Sequence, residues 1–271
     1  MAELEAMTGQ RDPHTVASLS GDLRALGLPS GATVLVHSSM AAIGWVSGGA
    51  VAVAQALVDV LGPAGTLVAP TQSGGLSDPA TWSRPPIPEA WWQQVRDSMP
   101  AYDAATTPTR GMGAVVEVVR NLPGFARSDH PQVSFGAVGP AATAILHPHP
   151  LSPGLGAGSP LSRLAESGAL TLLLGVGWES ATCLHLGEAR SGIRAQVPTS
   201  APVLVDGHRQ WATWSDVDWD AADFPAVGRS WSRPERCSPV GSGRRRRDWS
   251  ASPTRRTRPS GGSACGPYLS P

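Results

Sequence analysis

No lysine occurs anywhere in the sequence; all 21 basic side chains are arginine. With so much alanine, glycine, proline and valine, this reflects GC-rich coding DNA rather than chemistry. The three cysteines, Cys183, Cys237 and Cys265, are odd in number and spaced for neither a disulfide framework nor a zinc site, so a reducing cytoplasm is expected. No apolar run is long enough to cross a bilayer, and the acidic start Met1-Ala2-Glu3-Leu4-Glu5 lacks an apolar signal core. Neither a Walker loop nor a G-x-G-x-x-G fingerprint is present, which removes support for nucleotide-triphosphate and dinucleotide functions.

What is present suits a soluble globular chain. Of the 271 residues, 41% are hydrophobic, enough for a packed core in one large or two small domains. The zero net charge hides a division. From Val227 onward ten arginines face only Glu235 and Asp248, so this stretch carries +8 and the remainder −8. An acidic body attracts a cationic ligand, although solubility alone accounts for such a charge.

Residues 14–27 read as an amphipathic helix. Residues 33–37 are a short buried strand running into Ser38-Ser39-Met40 and a glycine-rich turn. A helix over 50–61 and a strand over 65–70 follow, giving the strand–loop–helix–strand order of an α/β layered fold. Residues 71–110 form a long irregular excursion, of a length uncommon unless it binds something, with a short helix near 89–99. The pattern predicts a helix over 111–122, a strand over 133–138, a helix opened by Ser159-Pro160, a central strand over 169–175 and a helix over 180–190. A hairpin turning at Asp206-Gly207 comes next. Beyond Val227 no period survives. Residues 229–271 read as an unstructured basic tail, or as a stretch translated out of frame.

Two cradles and several titratable groups carry the candidate chemistry. His37, Ser38, Ser39 and Met40 end a strand, where backbone N–H groups can face an anionic ligand. Thr109, Arg110, Gly111, Met112 and Gly113 precede a helix whose N-terminus favours phosphate or carbonyl oxygen. His149 lies ahead of a glycine-rich run, and Glu179 follows the strand over 169–175, where ligands bind in open α/β sheets. His185 and Glu188 are three apart on a helix, hence on one face, and no second pair completes a metal site. An imidazole with a carboxylate partner suits acyl transfer to nitrogen. His130, in Asp129-His130-Pro131, is read as a loop anchor.

These segments together resemble the aminoglycoside 3-N-acetyltransferase family. The matching stretches include VLVHSSMAAIGWVSGGA at 34–50, YDAATTPTRGMGAVVEVVRNLPG at 102–124, HPLSPGLGAGSPLSRL at 149–164 and LTLLLGVGWESATCLHLGEAR at 170–190. The resemblance covers roughly residues 14–228, and 1–228 is expected to be the acetyltransferase domain. It implies a three-layer α/β/α fold with a mixed central sheet. It implies acetyl-CoA as donor, and the 3-amino group of a 2-deoxystreptamine antibiotic as acceptor, giving resistance. It implies His37–Met40 and Thr109–Gly113 along the CoA channel, His149 as general base, Glu179 as its acidic partner, and His185 and Glu188 near the acceptor. Glu188, Asp216 and Asp218 would then hold the acceptor's ammonium groups. The family's Asp-Tyr pair after its histidine is Ser152-Pro153 here. Two rivals stand: an acetyltransferase of this fold acting on another small amine metabolite, and nucleic-acid binding through the arginine-rich tail.

Overall fold

Three strands with near-continuous apolar runs make the centre of the sheet. They are β1 (Thr33–Ser38), β2 (Thr66–Pro70) and β5 (Leu170–Leu174). In the computed structural model, which describes residues 10–231 and 268–269, β1 pairs parallel with both β2 and β5. The sheet continues antiparallel from β2 to β4 (Phe135–Val138) and then to β3 (Ala126–Arg127). It is therefore mixed, in the order β3-β4-β2-β1-β5-β8, with β8 the short strand Tyr268–Leu269. β5, expected to be central, lies inside the sheet, paired on both sides.

Alternation along these strands sorts their side chains between two cores, so both faces are covered. Val34, Val36, Leu67, Ala69, Leu172 and Leu174 pack on one face. There they meet α1 (Val16–Ala25), α3 (Gly49–Leu61) and α5 (Ala114–Val119). Leu35, Val68 and Leu173 pack on the other. That face is covered by α6 (Ala142–Leu146), α7 (Pro160–Ser167), α8 (His185–Ser191) and α9 (Phe224–Trp231). The expected three-layer α/β/α arrangement is what forms. No helix among the described residues is long and apolar enough to cross a membrane.

Several boundaries differ from the sequence reading for local reasons. The helix expected over 111–122 shrinks to α5, because Gly111 and Gly113 take φ of 73° and 85°. At its far end, Asn121 and Leu122 turn inward through bonds to Val118 and Val119. The strand expected from 133 starts at Phe135, since Nδ1 of His130 captures the N–H groups of Gln132 and Val133. The helix expected over 180–190 is broken at Ala181 (ψ 75°) into two 3₁₀ turns, Trp178–Ser180 and Thr182–Leu184, followed by α8. His185 thus opens a helix. The hairpin is longer than expected, pairing β6 (Gln196–Val205) with β7 (His208–Val217) through Asp206 and Gly207, both at positive φ.

The tail expected over 229–271 lies outside the described residues except at two places. α9 runs on to Trp231, and β8 (Tyr268–Leu269) pairs parallel with β5. These five residues, 229–231 and 268–269, lie in secondary structure where none is expected from composition.

The excursion after Pro70 is pinned at both ends by Arg127. Its guanidinium donates to the carbonyls of Thr71 and Thr107 and to the hydroxyls of Thr71 and Ser134, beneath the Tyr102 ring. At the turn after β4, Gly139 sits at φ 128°, and a β-carbon there would lie 2.3 Å from the Gly65 carbonyl oxygen. Gly139→Ala is expected to cost about 2–4 kcal/mol in urea unfolding. A midpoint equal to the parent's would show that the β2–β4 edge yields without strain.

Candidate active site

β1 and β5 end side by side, with Ser38 opposite Leu174. Ligands of open α/β sheets bind beyond such carboxyl ends. Alternation sends His37 to the same side as Leu35, the side that carries α8, and Ser38 to the other. His37 is buried, and its Nε2 has no hydrogen-bond partner among the described residues. Burial, with the nearby His185 second, pulls its pKa down to about 4.

His185 stands at the first turn of α8, between the rings of Trp219 and Phe224. Its Nδ1 lies 2.5 Å from Oε2 of Glu188, one turn on. A carboxylate can only accept, so Nδ1 carries the proton and the lone pair falls on Nε2. Nδ1 is the ring nitrogen engaged in a hydrogen bond, and among the described residues none reaches Nε2. Burial lowers the pKa of His185, and the bond to Glu188 opposes that shift. The ring is accordingly neutral near pH 7, with one basic nitrogen available.

His149 and Glu179, expected to work together, share no hydrogen bond. The Nε2 of His149 meets the Gly154 carbonyl at 2.7 Å, so it must be the protonated nitrogen. Its Nδ1 lies 2.8 Å from the Ser128 hydroxyl, which already accepts from the Phe135 N–H and so donates its own proton to the ring. Both ring nitrogens are occupied, and burial pushes the pKa down to about 3. Glu179 is exposed, and its carboxylate accepts the Gly177 N–H at 2.9 Å, closing its own turn. The general-base assignment to His149, with Glu179 as orienter, is corrected on these grounds: no lone pair remains, and the acid faces elsewhere. His130 lies against His149, with ring centroids 4.8 Å apart. It accepts two N–H groups at Nδ1 and donates to the Leu151 carbonyl, as a loop anchor does.

The two cradles converge. A β-carbon on Gly113 would sit 3.6 Å from the Ser38 carbonyl oxygen, and Met40 and Met112 pack on the same core. Ser39 gives its N–H to the Leu174 carbonyl at 3.0 Å. Arg110 gives its N–H to the Gln72 carbonyl, and the Thr109 hydroxyl donates to Glu117. Gly111 contributes the reversal between them.

The acids divide. Asp216 is buried and accepts from the Gly154 and Val217 N–H groups and the Trp219 indole, with burial raising its pKa. It ties the hairpin to the loop at 154 and is not available to a ligand, which corrects its assignment to the acceptor. Asp218 is exposed. Glu188 is shared between His185 and Arg194, and Arg194 reaches on to Asp220 and Asp223. The sequence reading missed Arg194, Asp220 and Asp223. Gly192, which caps α8 at positive φ, was the available sign that the chain turns back there.

Fold and site together define an α/β/α enzyme equipped for proton transfer at the carboxyl edge of its sheet. The profile of the aminoglycoside 3-N-acetyltransferase family matches residues 35–246, and the chain belongs to that family of acyltransferases. It is 48% identical over 219 residues, covering 80% of each chain, to the SPbeta prophage-derived aminoglycoside N(3')-acetyltransferase-like protein YokD of Bacillus subtilis (strain 168). It is 41% identical over 221 residues to aminoglycoside N(3)-acetyltransferase VIII of Streptomyces fradiae, covering 80% of this chain and 76% of that one. The crystal structure of YokD superposes with a TM-score of 0.83 at 45% identity, over 85% of this chain and 86% of that one. A structure described as AAC-IIIb binary with CoASH gives a TM-score of 0.70 at 28% identity, covering 81% and 85%.

Proposed function

We propose that the chain transfers the acetyl group of acetyl-CoA to the 3-amino group of 2-deoxystreptamine aminoglycosides, with His185 as general base. The observation that carries this reading is the His185–Glu188 pair, which fixes the proton on Nδ1 and so puts the ring's lone pair on Nε2. The family membership and the CoASH-bound relative support the donor.

Acetyl-CoA supplies the activated acyl group. Ser38, Ser39 and Met40 would line its path on one side, and Thr109, Arg110, Gly111, Met112 and Gly113 on the other. The meeting of these stretches beside Ser38 fits that use. Since the Ser39 N–H is taken by Leu174, the Met40 and Ala41 N–H groups, in the first turn of α2 (Met40–Ile43), would face negative charge developing on the carbonyl oxygen. His185 takes the proton from the attacking amine, and Glu188 stabilises the resulting imidazolium. Asp218, Asp220 and Asp223 offer negative charge to the acceptor's other ammonium groups. Acetylation removes one positive charge from a drug that binds RNA largely through charge, and resistance follows.

The test is mass spectrometry of the full chain with acetyl-CoA and a panel of aminoglycosides and unrelated small amines. A gain of one acetyl group on the aminoglycosides, placed at the 3-amine by NMR, is expected. Acetylation of other amines with none on aminoglycosides would reassign the acceptor class.

A further inference from the structure

Glu188 has two carboxylate oxygens, and only one serves His185. The other, Oε1, accepts the Nε of Arg194 at 2.8 Å. Arg194 lies three residues beyond the end of α8, past Gly192, and is itself held from the far side. Its Nη1 meets the Asp220 carboxylate at 3.4 Å, and its Nη2 meets the Asp220 carbonyl at 3.2 Å and the Asp223 carboxylate at 3.7 Å. A guanidinium is planar and forked, so contacts on opposite edges fix its orientation. The Glu188 carboxylate is thereby prevented from rotating, and Oε2 stays turned toward His185.

We propose that Arg194 is a positioning residue for the reaction, acting through Glu188 to orient the His185 imidazole and to set the pH at which it takes up a proton. This rests on the reading of His185 as the base. The charged and titratable groups facing His185 are His37 from β1, Glu188 from α8, Arg194 from the following turn, and Asp220 from the loop before α9. Arg194 opposes a positive charge on the ring and Glu188 and Asp220 favour it, while His37 is neutral near pH 7 and adds no charge. Removing the positive charge of Arg194 tips that balance toward the imidazolium.

The experiment compares the parent with Arg194→Gln, Arg194→Lys and Arg194→Ala in the full chain. The ring proton of His185 is followed by NMR, and kcat and KM are measured across pH with acetyl-CoA and an aminoglycoside. Arg194→Gln keeps a donor without charge, so the His185 titration and the acid limb of kcat/KM should move up by about 0.5–1 pH unit. Arg194→Lys keeps the charge and should hold the parent's titration. Arg194→Ala loses both and should show the upward move together with a fall in kcat of about three- to thirtyfold, with the KM for acetyl-CoA unchanged. An unmoved His185 titration in Arg194→Gln and Arg194→Ala overturns the proposal. His185→Gln separates the two levels. If that variant is inactive while the titration stays put, only the role of Arg194 is lost. If it remains active, the base assignment fails as well.

Discussion

His185→Gln lowers kcat about a hundred- to ten-thousand-fold, the usual contribution of a general base, and leaves the KM for acetyl-CoA within about twofold. Glutamine keeps much of the volume between Trp219 and Phe224 but has no nitrogen that can accept a proton. The matched control is His149→Gln. That change breaks bonds to Ser128 and Gly154, so it lowers the urea midpoint, while the fraction that remains folded turns over at a rate within about threefold of the parent. The opposite pattern, an inactive but stable His149→Gln and an active His185→Gln, would return the base to His149.

Acidification from pH 7 to 5 should cost the fold several kcal/mol. His37 and His130 have pKa values drawn down to about 4, and His149 to about 3, chiefly by burial. In the unfolded chain each returns to the ordinary 6.5. The folded state therefore holds these rings neutral while the unfolded state takes up protons. The stability they confer is complete above pH 6.5, and it drains away as pH falls toward 4, continuing to 3 for His149. At pH 5 each buried histidine accounts for about 2 kcal/mol, or about 6 kcal/mol for three. That is a large share of a typical 5–15 kcal/mol stability. Asp216, whose pKa is raised, works in the opposite direction, and only in the acid range above its unfolded value of 3.8. Urea midpoints at pH 7 and 5 provide the check. The parent should drop steeply, and His149→Asn, though weaker at pH 7, should drop less. A flat midpoint in the parent would mean that these rings are already solvated.

Much of the sheet was legible because its central strands are short apolar runs bounded by glycine, proline or polar residues. The hairpin was legible from Asp206-Gly207, and the opening of α7 from Ser159-Pro160, whose serine hydroxyl accepts the Ser162 N–H. The spacing of His185 and Glu188 likewise placed them on one face. Their role was less legible. His149 stands in an equally suggestive run, and it is disqualified by Ser128, 21 residues away through two loops. Neither spacing nor composition encodes which nitrogen of which imidazole is already engaged. Asp216 was misplaced for the same reason, since the Gly154 N–H it accepts lies 62 residues away. Helix limits failed where one residue redirected the backbone, as at Ala181 and Gly113, or where a side chain took N–H groups a strand would use, as His130 does.

The strict in-and-out order of β1 carries a consequence for how this enzyme can vary. His37 joins the layer of the imidazole–carboxylate pair, and its neighbour Ser38 joins the layer of the glycine loop. Losing a single residue upstream in that strand would invert the parity of everything after it, handing each of the two the other's surroundings. Such a deletion would leave composition nearly untouched and scramble both halves of the cleft at once, so lineages of this enzyme should tolerate length changes in the loops on either side far better than within those six residues.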